Sequence, residues 1–127
     1  MKQRVETYEE LEVYKLAFAL QQRVFELSKA WPREERYSLT DQARRASRSV
    51  GANISESWAK RRYEAHFVAK LTDSDGELNE TRHWLRSAEA CAYLLSEDAK
   101  ELRDRCDSIG KKLGSMIKHA SSWVIAG

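Results

Sequence analysis

Hydrophobic residues recur along most of the chain at alternating intervals of three and four, the spacing that places them on one side of an α-helix. Four separate stretches show this pattern, and they predict helices over residues of about 8–30, 38–60, 63–95 and 97–121. Because the connections between them are short, the pattern predicts an all-α fold, an antiparallel up-down-up-down four-helix bundle. The whole chain, residues 1–127, is predicted to be a single domain.

The first predicted helix carries two neighbouring apolar stripes. One stripe consists of Val13, Ala17, Leu20, Val24, Leu27 and Trp31. The other consists of Leu11, Tyr14, Phe18 and Phe25. Together they are wider than the seam of a single bundle requires. Because an exposed apolar surface tends to be covered, the second stripe predicts an interface between copies of the chain.

Capping residues set the predicted helix boundaries. Thr7, Ser38 and Ser96 are the predicted N-caps of the first, second and fourth helices, and Asp41 completes a capping box with Ser38. Pro32 ends the first helix because its ring nitrogen has no hydrogen to donate.

The second predicted helix combines small buried residues with a polar series. Its buried stripe consists of Leu39, Ala43, Ala46, Val50 and Ile54. The polar residues that border this stripe, or the stripe of the third helix, are Gln42, Ser49, Asn53, Glu56, Glu77, Glu80 and Thr81. Since buried polar groups must be paired, we predict a hydrogen-bonded structural layer that fixes helix register or subunit contacts. A ligand site is the alternative.

The third and fourth predicted helices complete the core. The third has an apolar and small-residue stripe of Phe67, Leu71, Ser74, Leu78, Thr81, Leu85, Ala88, Ala92 and Leu95. The fourth carries Ala99, Leu102, Cys106, Ile109, Leu113 and Ala120. Gly76 interrupts the third helix, either as a local break or as a point of close packing.

The composition favours helical structure and indicates in which cellular compartment the protein is expected. One proline, five glycines, 33% charged and 42% hydrophobic residues favour helices over a many-stranded sheet. No run of about 18 apolar residues predicts a membrane span, and no apolar run follows the basic N-terminus, so a cytoplasmic protein is expected. Cys91 and Cys106 lack a disulfide or metal spacing, and both are predicted to be reduced residues in or near the core.

Positive charge is concentrated on the second helix and its exit. Residues 36–62 contain seven basic and two acidic side chains, whereas residues 63–127 contain nine basic and eleven acidic ones. The candidate nucleic-acid-binding residues are Arg44, Arg45, Arg48, Lys60, Arg61 and Arg62. Arginine suits phosphate through its planar fork of donors. A solvated face with ion pairs to neighbouring helices is the alternative.

Candidate chemistry is sparse. A di-metal site in a bundle needs two Glu-x-x-His pairs, and only Glu80 with His83 has this spacing, because neither His66 nor His119 follows a glutamate by three residues. The sequence also lacks a glycine-rich phosphate loop and a nucleophile motif. It therefore predicts no metal, no cofactor and no enzymatic activity.

Two segments resemble a known family. Glu35-x-Tyr37-x-Leu39-x-x-Gln42, Arg44-Arg45-Ala46 and Ser49-Val50-x-x-Asn53-Ile54-x-Glu56 are similar to the helix-two signature of the four-helix-bundle proteins encoded in 23S rRNA intervening sequences. Asn79-Glu80-Thr81-x-x-Trp84-Leu85-Arg86 resembles the same family's glutamate–threonine–tryptophan segment. The resemblance extends from Leu11 to about Ile117. The chain departs from it at Ser55 and Ser57, where the family often has alanine and glycine, so helix two is expected to run further.

The resemblance implies a bundle that assembles as a homo-oligomeric ring, commonly a homopentamer, without catalysis. The family also resembles the accessory proteins of diversity-generating retroelements, which are basic pentameric barrels that bind nucleic acid and a reverse transcriptase. We therefore expect a homo-oligomer that contacts structured RNA or another nucleic acid through helix two. The alternative is a scaffold or adaptor ring that engages a protein partner without nucleic acid.

Overall fold

The computed structural model describes residues 5–125, which form helices joined by short connections and contain no strand. The helices are α1 (Glu12–Ser28), α2 (Asp41–Ala59), α3 (Glu64–Ala90) and α4 (Ser96–Lys118). Short turns of other helix types lie at Tyr8–Glu10, Arg33–Glu35, Arg36–Thr40 and Ala120–Ser122. The prediction of an all-α chain with four helices is confirmed. No described helix is both long and apolar enough to span a membrane.

The four helices surround one hydrophobic core. Each helix packs on the next in the chain, and α4 also packs on α1. Side chains from all four helices are fully buried there, among them Leu20, Val50, Leu71 and Leu102. Burying one such side chain stabilises a fold by about 1.5–3 kcal/mol, so the core is the main source of stability.

Ion pairs join the late part of one helix to the early part of a neighbour. Arg23, near the end of α1, lies 3.3 Å from Asp98 in the first turn of α4. Glu56, near the end of α2, lies 2.7 Å from Lys70, which is in the second turn of α3.

The first helix begins later than predicted. Thr7 precedes a separate short turn, in which its N–H donates to a Glu10 carboxylate oxygen at 3.3 Å, so Thr7 does not cap α1. Leu11 then adopts an extended conformation (φ −66°, ψ 130°), and α1 starts at Glu12. Because of this bend, Leu11 points into the core with 3% exposure and does not belong to an outer stripe.

The capping box predicted for the second helix does not form. The Ser38 hydroxyl donates to the Glu35 carbonyl at 3.3 Å and to the Glu35 carboxylate at 2.7 Å. The chain then enters α2 at Asp41 through a wide π-helical turn, Arg36–Thr40. Near the other end, Ser57 is buried and donates to the Ile54 carbonyl at 2.6 Å, which keeps it inside the helix.

The third helix ends earlier than predicted. It stops at Ala90, and Ala92 has a positive φ of 64°, a left-handed conformation that terminates helices. This turn ends the helical periodicity and changes which side chains face the core. Leu94 is buried there, whereas Leu95 is 65% exposed. Ala92 and Leu95 therefore do not continue the apolar stripe. Ser96 begins α4 as a helical residue and its hydroxyl caps nothing.

The two cysteines have different environments. Cys106 is buried, as predicted. The prediction for Cys91 is wrong, because it is exposed immediately after the last residue of α3, where the chain leaves the core. Beyond α4, Trp123 packs on the core, and its ring centroid lies 6.4 Å from that of Trp58.

Candidate nucleic-acid interface

Two arginines of α2 lie over an aromatic ring of α1. Arg44 and Arg48 are one helical turn apart, and their guanidinium carbons lie 4.8 Å and 5.6 Å from the centroid of Phe25. The Arg44 Nε also donates to the Ser28 hydroxyl at 2.8 Å. Phe25 belongs to the apolar stripe assigned to a subunit interface. In the structure, arginines of the same chain cover part of that ring.

These two guanidinium groups keep free donors. Neither Arg44 nor Arg48 forms an ion pair within residues 5–125. Each guanidinium carbon lies over the Phe25 ring, and the N–H donors of a guanidinium group lie in its own plane. The arrangement therefore holds two cations in place and leaves edge donors for phosphate or carboxylate oxygens.

The same residues line a shallow depression of about 310 Å³. Its lining consists of Asp41, Arg44, Arg45, Arg48, Ser49 and Ala52. Three cations and one carboxylate make the depression positive. An anion would be attracted to it, since a concave surface lined mainly by one sign of charge focuses the field.

Arg45 has a different role from its two neighbours. Its Nη2 lies 2.6 Å from a Glu80 carboxylate oxygen, and its Nη1 lies 3.5 Å from Glu77. Hydrogen bonding from Arg45 lowers the pKa of Glu80, while burial and the neighbouring Glu80 raise the pKa of Glu77. Arg45 thus links α2 to α3 and is less free to bind phosphate than Arg44 or Arg48.

The predicted polar layer divides into two kinds of contact. Within helices, Ser49 donates to the Arg45 carbonyl and Asn53 to the Ser49 carbonyl, both at 2.9 Å, and Thr81 donates to the Glu77 carbonyl at 2.8 Å. These bonds satisfy the side chains locally and do not set helix register.

Contacts between helices come from charged members of the layer. Glu80 pairs with Arg45, and Glu56 pairs with Lys70 at 2.7 Å, where the hydrogen bond from Lys70 lowers the pKa of Glu56. Gln42 accepts only a long bond of 3.4 Å, from Arg45 of its own helix. Ion pairs therefore join α2 to α3 at two levels.

The remaining predicted basic residues form a second group at the other end of α2. Arg61 lies 3.3 Å from the centroid of Trp58, donates to its carbonyl at 2.8 Å, and has its pKa lowered by burial. Lys60 and Arg62 are exposed. At 1.5 Å per residue, Arg48 and Lys60 are about 18 Å apart along the helix. The six residues therefore form two separate groups and not one patch.

Sequence reasoning missed the hydrogen bonds that two inward-facing serines make between helices. Ser74 is fully buried in α3 and donates to the Val50 carbonyl of α2 at 2.8 Å. Ser28 is buried at the end of α1, where its hydroxyl accepts from Arg44. The position of Ser74 on the buried stripe of the third helix could have indicated that its hydroxyl needs a hydrogen-bond partner.

The single Glu-x-x-His pair, Glu80 and His83, does not form a metal-binding site. Glu80 is engaged with Arg45, and the His83 ring lies against Trp84 with their centroids 4.8 Å apart. Within residues 5–125, no group of three or more His, Cys, Asp or Glu side chains could hold a metal ion.

Comparison with known proteins identifies the family. The model of the 23S rRNA-intervening sequence protein family matches residues 9–115, from the short turn before α1 to the last part of α4. The chain belongs to this family. No curated protein matches the sequence.

A solved relative of the family shares the fold. It is a crystal structure of a protein of unknown function from the S23 ribosomal protein family of Bacteroides thetaiotaomicron, 29% identical in sequence. The similarity has a TM-score of 0.75 and covers 84% of this chain and 98% of the other. Membership of the 23S rRNA-intervening sequence family, suggested by the helix-two motif, is confirmed.

Proposed function

We propose that this family member is a cytoplasmic, non-enzymatic, homo-oligomeric bundle that binds the phosphate backbone of structured RNA through α2. The proposal rests on the position of Arg44 and Arg48 over the Phe25 ring, where neither has an acidic partner among the described residues. An ordered guanidinium loses little further entropy when it binds phosphate, and each such contact releases counterions.

The bundle in this proposal is antiparallel. The pairs Arg23–Asp98 and Glu56–Lys70, which join late and early helix segments, support this direction for α1 against α4 and for α2 against α3. Short connections between consecutive helices favour the same up-down-up-down order.

Exposed aromatic side chains support assembly into an oligomer. We propose that this oligomer is the pentameric ring that the family resemblance implies. Phe18 is 46% exposed in the middle of α1, and its ring stacks on Tyr14 with centroids 6.2 Å apart. A second copy that covers this surface would bury apolar area. Repetition of the α2 arginines around a ring would add their fields and strengthen RNA attraction.

RNA binding is tested with the double variant Arg44→Ala/Arg48→Ala and a labelled structured RNA hairpin, by fluorescence anisotropy over a salt series. We expect the slope of log affinity against log salt to fall by about 1 for each phosphate-binding arginine that is replaced. The control is Lys111→Ala/Lys112→Ala on α4, which removes the same charge from exposed positions that form no ion pair with the described part of the chain. Equal behaviour of the two double variants, or no RNA retention by the wild-type protein at low salt, contradicts the proposal.

A scaffold or adaptor that binds a protein partner is the second candidate. The exposed aromatic rings of Phe18 and Tyr37, 46% and 84% exposed, favour it. Light scattering on the same sample tests assembly, since a particle mass of 14.7 kDa across working concentrations would exclude the oligomer. An oligomer that retains no RNA would favour the adaptor.

A further inference from the structure

A cavity of about 360 Å³ lies between α3 and α4, and its lining shares no residue with the α2 surface described above. Its floor is apolar. Leu85, Ala99 and Cys106 line it with exposures of 7%, 4% and 0%. Burial raises the pKa of the Cys106 thiol to about 11, so the floor carries no charge near neutral pH. Ala99 contributes only a methyl group to this lining.

The rim of the cavity is cationic. Arg82, Arg86 and Arg103 line it together with Glu89. Arg103 pairs with Glu89 at 2.6 Å, and Arg82 pairs with Asp107 at 2.8 Å, so both of these arginines are held between α3 and α4.

Arg86 is the rim residue without a partner. It is exposed, lies one helical turn after Arg82, and forms no ion pair within residues 5–125. The cavity is thus a partly open depression with a mainly apolar lining, beside one guanidinium that has no ion pair among the described residues.

We propose that this cavity binds a small amphiphilic anion, with an acyl or aryl body on the floor and a carboxylate, sulfonate or phosphate group at Arg86. Its volume falls within the range of about 300–1,000 Å³ that is usual for small-molecule sites. An apolar lining with few charged groups is also typical of such sites. The site is independent of RNA binding, because it uses neither α2 nor its arginines.

The probe is anilinonaphthalene sulfonate, whose fluorescence rises when its rings leave water. We expect one bound probe per chain, displaced by decanoate and not by decanol at equal concentration. Arg86→Gln should weaken probe binding by at least about tenfold, since a charge-assisted hydrogen bond is removed. Lys111→Gln, an exposed and unpaired position on α4 outside the cavity, is the matched control and should leave binding unchanged.

A second variant tests the floor without changing charge. Ala99→Leu places a larger apolar side chain in the lining and should reduce binding of both probe and decanoate, with helix content checked by circular dichroism. The proposal is overturned if Arg86→Gln binds the probe like wild type, or if decanol competes as well as decanoate. A change of oligomer mass in Arg86→Gln would also overturn it, because the cavity would then be an interface between copies.

Discussion

Phe25 illustrates how one residue can serve two predicted surfaces. Its ring lies on the stripe of α1 that the sequence assigns to a subunit interface, and Arg44 and Arg48 of α2 lie over it. A stacked arginine covers apolar surface with its plane and methylene stem while its charge stays accessible. The apolar stripe of α1 and the arginines of α2 could both be predicted from the sequence. The contact between Phe25 and these arginines could not, because it depends on the rotation of α2 against α1.

The two thiols give a test at the residue scale. At pH 8, we expect Cys91 to react rapidly with Ellman's reagent and Cys106 to stay protected until the protein unfolds. Burial raises the pKa of Cys106 to about 11, against an ordinary value of 9.0. Its thiolate fraction at pH 8 is therefore about a hundredfold lower than that of an ordinary cysteine, even before burial limits access.

The stoichiometry of the thiol reaction checks this expectation. The wild-type protein should release one equivalent of thiolate quickly and a second in urea, whereas Cys91→Ser should show only the slow equivalent. A fast second thiol in the folded wild-type protein would show that the core around Cys106 opens readily.

At the element scale, the helices were predictable and their ends were not. Periodicity identified all four helices because each buries one face. The break at Leu11, the wide turn at Arg36–Thr40 and the left-handed Ala92 had no signal in the residue types present. Glycine is the usual left-handed residue after a helix, so an alanine there gives no warning.

Gly76 lies inside α3, where the helix continues without a break. A methyl group added there would meet nothing within 4 Å, so Gly76→Ala should raise the free energy of unfolding by about 0.5–1 kcal/mol through helix propensity. Urea denaturation measures this change.

Gly110 in α4 is the matched comparison for Gly76. A methyl group there would lie 3.4 Å from Arg82 Nη2 and 3.6 Å from Leu78 Cδ2, so we expect a smaller gain. A loss of stability in Gly76→Ala, with Gly110→Ala unchanged, would mean that another molecule closely covers the surface at Gly76.

At the scale of the whole molecule, ion pairs connect three of the four helix interfaces. Arg23–Glu101 links α1 to α4, Arg45–Glu80 links α2 to α3, and Arg82–Asp107 links α3 to α4. Between α1 and α2, a hydrogen bond from Arg44 to Ser28 connects the two helices instead of an ion pair. Sequence predicted the excess of arginine on α2, but which cations are paired depends on the packed geometry.

Acidification should therefore destabilise the fold. Hydrogen bonds lower the pKa of Glu80, Glu56 and Glu101, with Arg45, Lys70 and Arg105 as the respective main donors, below the ordinary 4.5. A carboxylate with a lowered folded-state pKa contributes stability above its ordinary pKa and loses it as pH falls through the folded value. The pKa of Glu35 is also lowered, by a hydrogen bond from Ser38, whereas the raised pKa of Glu77 acts in the opposite direction and is one group against four.

Thermal melts from pH 8 to pH 3 check this. We expect a nearly constant melting temperature down to about pH 5 and a fall below about pH 4.5. Glu101→Gln should flatten the fall, whereas Glu34→Gln, an exposed position without an ion pair, should not. An increase in melting temperature on acidification would indicate that Glu77 dominates.

Because Arg44 and Arg48 lie over Phe25, binding of a second copy at this ring would compete with binding of an anion to the two arginines. A second copy whose footprint extended from Phe18 to Phe25 would have to dislodge or share the two guanidinium planes that lie on the ring. A polyanion seated on those planes would in turn shield the ring from the incoming copy. Only an interface that ends between Phe18 and Phe25 leaves both activities intact, so the footprint of any neighbouring subunit on α1 decides whether the cations stay available.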